Sequence, residues 1–240
     1  MNQDLSPTTA YFTADGQPFA SNYERNVCFK DRLDLFLQSV QRTTPIPAKI
    51  LDFGCGPGVI SVAIAKLGYD VLGLDGSSGM IAIGRGKAAE IPSVHLQFDQ
   101  VDAKLFDPSP SAFNAIICSS VIEYIEDDQG LLKKLIYALQ PGGHLLLSVP
   151  HRGNVFAPFE LLAHRVKLLF SAGAIRHLAF TRHRYIRNRL LAQLQQMGLE
   201  RLRCTSFECP VLGKLGVRLS RHPLFGRMLL LEGQKAETRG

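Results

Sequence analysis

Asp52, Gly54, Gly56 and Gly58 fall within one eight-residue stretch, LDFGCGPG at positions 51–58, and a second acid, Asp75, closes the apolar run VLGLD. An apolar run entering closely spaced glycines reads as a strand that delivers the chain to a backbone cradle. Without Cβ atoms the turn can approach a ligand closely. A helix that follows directly adds its N-terminal N–H groups to the same place. Such a cradle suits a nucleotide. Nicotinamide binders use G-x-G-x-x-G, whereas here the third glycine is at 58 and position 59 is valine, which counts against that class. No Walker lysine follows the glycines, which counts against a nucleoside triphosphate.

The surrounding pattern supplies the elements that must hold these residues. KILDFG reads as a buried strand, VISVAIAKLG as a helix closed by Gly68, and DVLGLD as a second strand. SSGMIAIGRGKAA is a weaker helix with three internal glycines. SVHLQF and AFNAIICSS are strands three and four, DDQGLLKKLIYALQ is a helix with acids at its start, and PGG turns into a fifth strand, HLLLSVP. Strands this apolar, alternating with helices, predict a parallel sheet covered on both faces. Upstream, NVCFKDRLDLFLQSV has helical spacing and TTPIPA ends it. After Pro150 the alternation stops: FELLAHRVKLLF and AGAIRHLAF read as helices of an insertion. YIRNRLLAQLQQMG then resumes the core, ended by Gly198. LERLRCTSFE and GRMLLLEGQ are the last strands, able to pair antiparallel across a long 209–225 connection.

The chain has 240 residues, 46% hydrophobic and 20% charged, enough for one large core. Five scattered cysteines without a CxxC pair favour reduced thiols over a disulfide framework or a zinc site. The first residues lack a signal-peptide pattern and no apolar run reaches the ~18 residues of a membrane span, so a cytoplasmic protein is expected. Charge is uneven. Residues 1–150 carry 11 basic against 16 acidic side chains, residues 151–190 carry 8 against 1, and residues 191–240 carry 8 against 4. The segment after 150 reads as a solubilising surface or as a face for something anionic.

Five segments in order, LDFGCGPG, VLGLDGSSGMI, VDAKLF, FNAIICSSVIEYIED and LIYALQPGGHLLLSVPHRGN, resemble the class I S-adenosylmethionine (SAM)-dependent methyltransferases, with small-molecule members of the ubiquinone type as the nearest likeness. The resemblance covers roughly residues 25–155. It implies an α/β fold with a doubly wound, seven-stranded, mostly parallel sheet, its last strand antiparallel. It also implies one domain: a helical lid over 1–45, a SAM-binding core over 46–150, a helical cap over 151–182, and a last core helix and strands over 183–240. Gly54, Cys55, Gly56 and Gly58 would wrap the methionine part, and Asp52 would fix the loop or meet the ammonium group. Asp75 would accept both ribose hydroxyls, since a carboxylate can take two donors, with Gly76, Ser77 and Met80 beside it. Asp102 and Ala103 match the adenine position, and Ser119 and Ser120 the methionyl side near the reacting centre. Arg32 would pair with the methionyl carboxylate, and Tyr11, Phe12 and Tyr23 resemble the segment that closes over the cofactor.

SAM carries an already activated methyl group, so the protein's task is alignment and exclusion of water. Alignment alone contributes on the order of 7–11 kcal/mol. A phenolic acceptor of pKa about 10 facing a histidine of about 6.5 is roughly 5 kcal/mol uphill in proton transfer, which a positioned base reduces. His151, directly after strand five, is the best-placed candidate. Tyr124 stands where many relatives have histidine and is a poor base at neutral pH, while His183 and Tyr185 approach from the cap. CSSV after strand four is not an N/D-P-P-Y motif, Cys118 lacks the preceding proline of pyrimidine C5 chemistry, and no metal cluster is evident. The expected activity is in-line transfer of a methyl group from SAM to an oxygen, or a nitrogen, of a small molecule whose anionic character the basic segment would suit. The alternatives are an RNA methyltransferase and a non-catalytic SAM-binding protein. Contact of the basic, apolar segment 156–180 with a membrane surface is a further reading.

Overall fold

The computed structural model describes residues 7–91, 95–155, 181–208 and 213–237. Two helices, α1 (Pro7–Arg25) and α2 (Val27–Thr43), precede β1 (Lys49–Phe53). The alternation then runs α3 (Val59–Ala65), β2 (Asp70–Asp75), α4 (Ser78–Ala89), β3 (Leu96–Gln100) and β4 (Phe113–Ser119). A single 3-10 turn, Ile122–Tyr124, leads to α5 (Asp128–Ala138) and β5 (Leu139–Pro150). The chain closes with α6 (Arg187–Gln196), β6 (Leu199–Phe207), α7 (Gly213–Ser220) and β7 (Met228–Lys235).

The seven strands form one sheet in the order β3-β2-β1-β4-β5-β7-β6. β3, β2, β1, β4 and β5 pair in parallel, and β7 lies antiparallel between β5 and β6. The chain therefore adds strands outward from β1 on one side, then returns to start the other side at β4. Connections leaving the carboxyl ends of β1 and β4 diverge, and a crevice opens there.

The apolar runs are continuous because each strand is buried on both faces. In β1, Leu51 and Phe53 join the core under α5 and α6, while Ile50 joins the core under α2 and α3. β4 divides the same way, Ile116 and Cys118 against Ala115 and Ile117, as does β7, Leu229 and Leu231 against Met228 and Leu230. Leu131, Leu132 and Leu135 of α5 and Leu190 and Leu194 of α6 meet one face. Phe36 and Val40 of α2 with Ile60 and Ile64 of α3 meet the other.

Several boundaries differ from the sequence pattern, and α7 forms within the 209–225 stretch read as a connection. β5 begins at Leu139 and takes in the PGG segment, with a register shift opposite Phe113 and Ala115. β3 is Leu96–Gln100, two residues later in its end than SVHLQF suggests. α1 spans Pro7–Arg25; its Thr13 hydroxyl bonds the Thr9 carbonyl within the helix and lies 3.0 Å from Ser77 Oγ at the start of α4. The helices expected within 156–180 lie outside the described residues. No described helix is long and apolar enough to cross a membrane.

Of the α4 glycines, Gly84 faces the Phe98 ring and Gly79 the Thr13 carbonyl of α1, whereas a Cβ at Gly86 would meet nothing within 4 Å. The Phe98 ring occupies the space that Cβ atoms would fill at Gly58, Gly73 and Gly84, so β2, β3, α3 and α4 close around one aromatic side chain. At Gly73 an added Cβ would stand 2.5 Å from Phe98 and 3.1 Å from Cys55 Sγ. Gly73→Ala should therefore lower unfolding stability by about 1–3 kcal/mol, the usual cost of overpacking. Phe98→Leu in the same chain should restore part of that loss in urea denaturation, because the two sites share one volume.

Candidate active site

A cavity of about 1070 Å³ opens at the carboxyl ends of β1, β2, β4 and β5. Its base is the β1–α3 turn. Gly54 and Gly56 have φ of +72° and +54°, and the N–H groups of Gly54 and Cys55 both donate to the Leu74 carbonyl at 2.7 and 3.0 Å. An L side chain at Gly54 would collide with Val121. Gly54 and Gly56, with Cys55 between them, line the cavity.

Asp75 ties the turn to the next helix. Its Oδ2 accepts the Gly56 N–H at 2.9 Å and its Oδ1 the Ser77 N–H at 2.8 Å, while Ser77 Oγ caps α4 by accepting the Met80 N–H. Burial raises the Asp75 pKa, and the two backbone bonds partly oppose it. Asp52 is also buried; its Oδ2 accepts the Ser61 hydroxyl at 2.6 Å, and its Oδ1 has no partner. Burial pushes its carboxyl up to about 7. Asp102 is exposed at the rim, its Oδ1 held by the Lys104 N–H, with Ala103 beside it. On the β4 side Ser119 Oγ lies 3.1 Å from Ser148 Oγ, and Ser120, at φ +57°, buries a hydroxyl without a partner.

Among the fourteen cofactor positions expected from the sequence, Gly58 is the one that does not line this cavity; it packs on Phe98 instead. Gly76, Met80 and Arg32 line it with the rest. Arg32 lies between the Phe29 and Phe207 rings, and its Nη2 pairs with Glu208 at 2.9 Å, leaving Nε buried without a partner. Its expected carboxylate is thus supplied within the chain, by Glu208 after β6.

The three base candidates separate. His151 lines the cavity, buried, with Nδ1 3.3 Å from the Gly226 carbonyl; burial lowers its pKa, which favours the neutral ring. Tyr124 also lines it, but burial holds its hydroxyl well above the ordinary range, and its ring meets Phe12 edge-on at 5.6 Å. His183 does not line it. His183 Nε2 lies 3.0 Å from the Ile125 carbonyl, and Tyr185 likewise turns away to donate to Asp128 Oδ2 at 2.8 Å. Residues 181–186 instead lace the exits of β4 and β5. Tyr185 N–H donates to Pro150, and Arg182 and His183 N–H groups donate to the Glu123 carbonyl. These backbone bonds hold residues 182–185 so that His183 and Tyr185, expected to reach the pocket from the cap, turn to Ile125 and Asp128 instead.

Glu123 is the residue the sequence pattern missed. It is 3% exposed, lines the cavity, and buries Oε2 without a partner; burial pushes its carboxyl up to about 8. The signal was an acid inside the apolar VIEYI. Arg182, Arg184, Arg227 and Lys104 add cationic groups to the same walls. Among the described residues no cluster of His, Cys, Asp and Glu is placed to hold a metal ion.

A reversed-order parallel sheet, a glycine turn tied to an acid-ended second strand and a crevice at that junction define the class I SAM-dependent methyltransferase fold. A family model described as a methyltransferase domain matches residues 20–202, and the chain belongs to that family. It is 28% identical over 154 residues to the ubiquinone biosynthesis O-methyltransferase of Aliivibrio fischeri, covering 63% of this chain and 64% of that protein. The Acinetobacter baumannii protein of that name is 30% identical over 105 residues, 43% of this chain and 44% of its own. The match thus spans less than two thirds of those relatives. Two solved structures share the fold: the Synechocystis magnesium protoporphyrin IX methyltransferase, with a TM-score of 0.70, 18% identity and coverage of 97% and 100%, and a Thermotoga maritima protein described as a possible histamine N-methyltransferase, with a TM-score of 0.65, 18% identity and coverage of 94% and 99%.

The buried acids set a pH dependence of stability. Unfolded, aspartate and glutamate ionise near pH 4; folded, Asp52 and Glu123 keep protons to about 7 and 8. Between those limits the folded chain binds more protons, so this contribution is largest below pH 4 and declines as pH rises through 8. Between pH 7 and 8.5 the wild type should lose about 1 kcal/mol more stability than Glu123→Gln, read from urea midpoints of the two proteins.

Proposed function

We propose that the chain transfers a methyl group from SAM to an oxygen, or a nitrogen, of a small anionic molecule. The observation that carries the reading is the Asp75 carboxylate, which joins the β1–α3 turn to the start of α4 across the mouth of the cavity. Each of its oxygens keeps a second lone pair for a ribose hydroxyl. The remaining groups suit the rest of the cofactor. The glycine turn lines the cavity, and Asp52 Oδ1 and Ser120 Oγ are buried polar atoms awaiting a partner. Asp102 and Ala103 stand at the rim for an adenine edge.

When bound, SAM supplies a methyl group on a positively charged sulfur. The chain's own residues bind, align and shield. Tyr11 and Phe12 of α1 wall the cavity above the α4 start, and Phe12 packs on Tyr124, so water is excluded from the β4 side by aromatic surface. Oxygen as the acceptor atom follows the names of the O-methyltransferase relatives, and nitrogen the description of the Thermotoga protein. The anionic acceptor rests on Arg182, Arg184 and Arg227, which approach the cavity from the β5–α6 connection and the start of β7.

Asp75→Ala should weaken SAM binding at least tenfold by calorimetry, since each charge-assisted hydrogen bond contributes about 1.5–3 kcal/mol. Undiminished affinity would remove the assigned role. With radiolabelled methyl SAM and a panel of phenols, carboxylic acids and amines, label should pass preferentially to acceptors bearing a carboxylate or phosphate. Arg182→Glu should raise their KM while leaving the SAM Kd unchanged. Label passing only to neutral or cationic acceptors would overturn the anionic assignment.

A further inference from the structure

The main chain of Glu123 is anchored beside the cavity. It sits on the 3-10 turn directly after β4, and its carbonyl accepts the N–H groups of Arg182 and His183 at 2.8 and 3.2 Å. These bonds fix the main chain of Glu123 between the exit of β4 and the segment bearing the arginines. Glu123 lines the cavity, and its Oε2, buried in the unliganded chain, has no hydrogen-bond partner. A buried polar atom in that position is open to a ligand.

Charged and titratable groups face it from every side. Arg32 approaches from α2, Cys118 from β4, Tyr124 along the turn and Tyr185 from residues 181–186. Arg32 is the cation among them, and Glu208 already holds it at 2.9 Å. Bringing a positive charge into the cavity would compensate an ionised Glu123, and removing that charge would leave it uncompensated.

Resting on the methyl-transfer reading above, we infer that Glu123 is the proton acceptor for the group that becomes methylated, and that the positive charge of bound SAM holds it ionised until transfer. As the acceptor oxygen or nitrogen bonds to the methyl carbon, the carbon–sulfur bond breaks with its electron pair left on sulfur. The acceptor's proton passes to Glu123 Oε2. A carboxylate and a sulfonium become a carboxyl and a thioether, so no unbalanced charge remains in the buried pocket. The group turns into a stronger base as the neighbouring cation disappears. Once that cation is gone, its carboxyl, raised to about 8 in the unliganded chain, is closer to a phenol near 10 than an ordinary histidine near 6.5 is. Burial moves His151 the other way, further from the acceptor.

The consequence is readable without knowing the acceptor. At pH 7 binding of SAM must expel the proton from Glu123, whereas binding of the neutral-sulfur product S-adenosylhomocysteine must not. Calorimetry of the full chain in buffers of different ionisation enthalpy counts those protons. SAM should release roughly half a proton or more beyond the product, and Glu123→Gln should abolish the difference. Both ligands carry the same amino-acid end, so a role toward the methionyl ammonium cancels. Equal proton counts in the wild type, or a difference that survives in Glu123→Gln, would overturn the inference. If Glu123→Gln binds neither ligand, Asp52→Asn decides: Asp52 is the rival source, and loss of the difference there overturns the assignment to Glu123, while persistence upholds it. A wild type that takes up neither ligand sinks the methyl-transfer reading as well; tight binding with equal counts sinks only the role of Glu123.

Discussion

The site depends on how β1 and β2 are tied at their carboxyl ends. The Leu74 carbonyl gathers the N–H groups of Gly54 and Cys55, and one residue later the Asp75 carboxylate gathers those of Gly56 and Ser77. Four donors from two different loops converge on two consecutive residues of one strand. With those bonds in place the glycine turn cannot relax into the crevice, and α4 starts where its cap can form. The β1–α3 and β2–α4 connections are thereby held beside the cavity.

That opening is expensive in electrostatic terms. Asp52, Asp75 and Glu123 are buried or nearly so around one cavity, and burial raises the pKa of each. Arg32 opposes only part of this, since its guanidinium is also bound to Glu208. Burying carboxyl groups without full compensation costs stability, and a chain that tolerates it at one place has a site that a cationic ligand relieves. Arg182, Arg184 and Arg227 line the same cavity, so acidic and basic groups share its walls.

Much of the fold was legible because each strand repeats the same statement. KILDF, VLGLD, NAIICS and HLLLSVP are apolar on both faces, which only a covered sheet satisfies, and the intervening helices have lengths that permit parallel crossovers. The cradle was legible because glycine spacing is local: Gly54, Gly56 and Asp75 need only a strand, a turn and a second strand. Glu123 and Glu208 were not, since a carboxylate's meaning depends on what surrounds it. His183 and Tyr185 misled for the same reason, as extended backbone between two strand exits turned them toward Ile125 and Asp128.

By itself the sequence determined the order of elements, the doubly covered sheet and the position of the glycine turn, because periodicity and backbone permissiveness act within a few residues. Tertiary structure alone decided which charges share the cavity. It brought Arg32 to Glu208 across 176 positions, set the Glu123 carboxyl among Arg32, Cys118 and Tyr185, and wrapped three distant glycines around Phe98. Burial and Coulomb interaction depend on proximity in space, and no spacing along the chain encodes that distance.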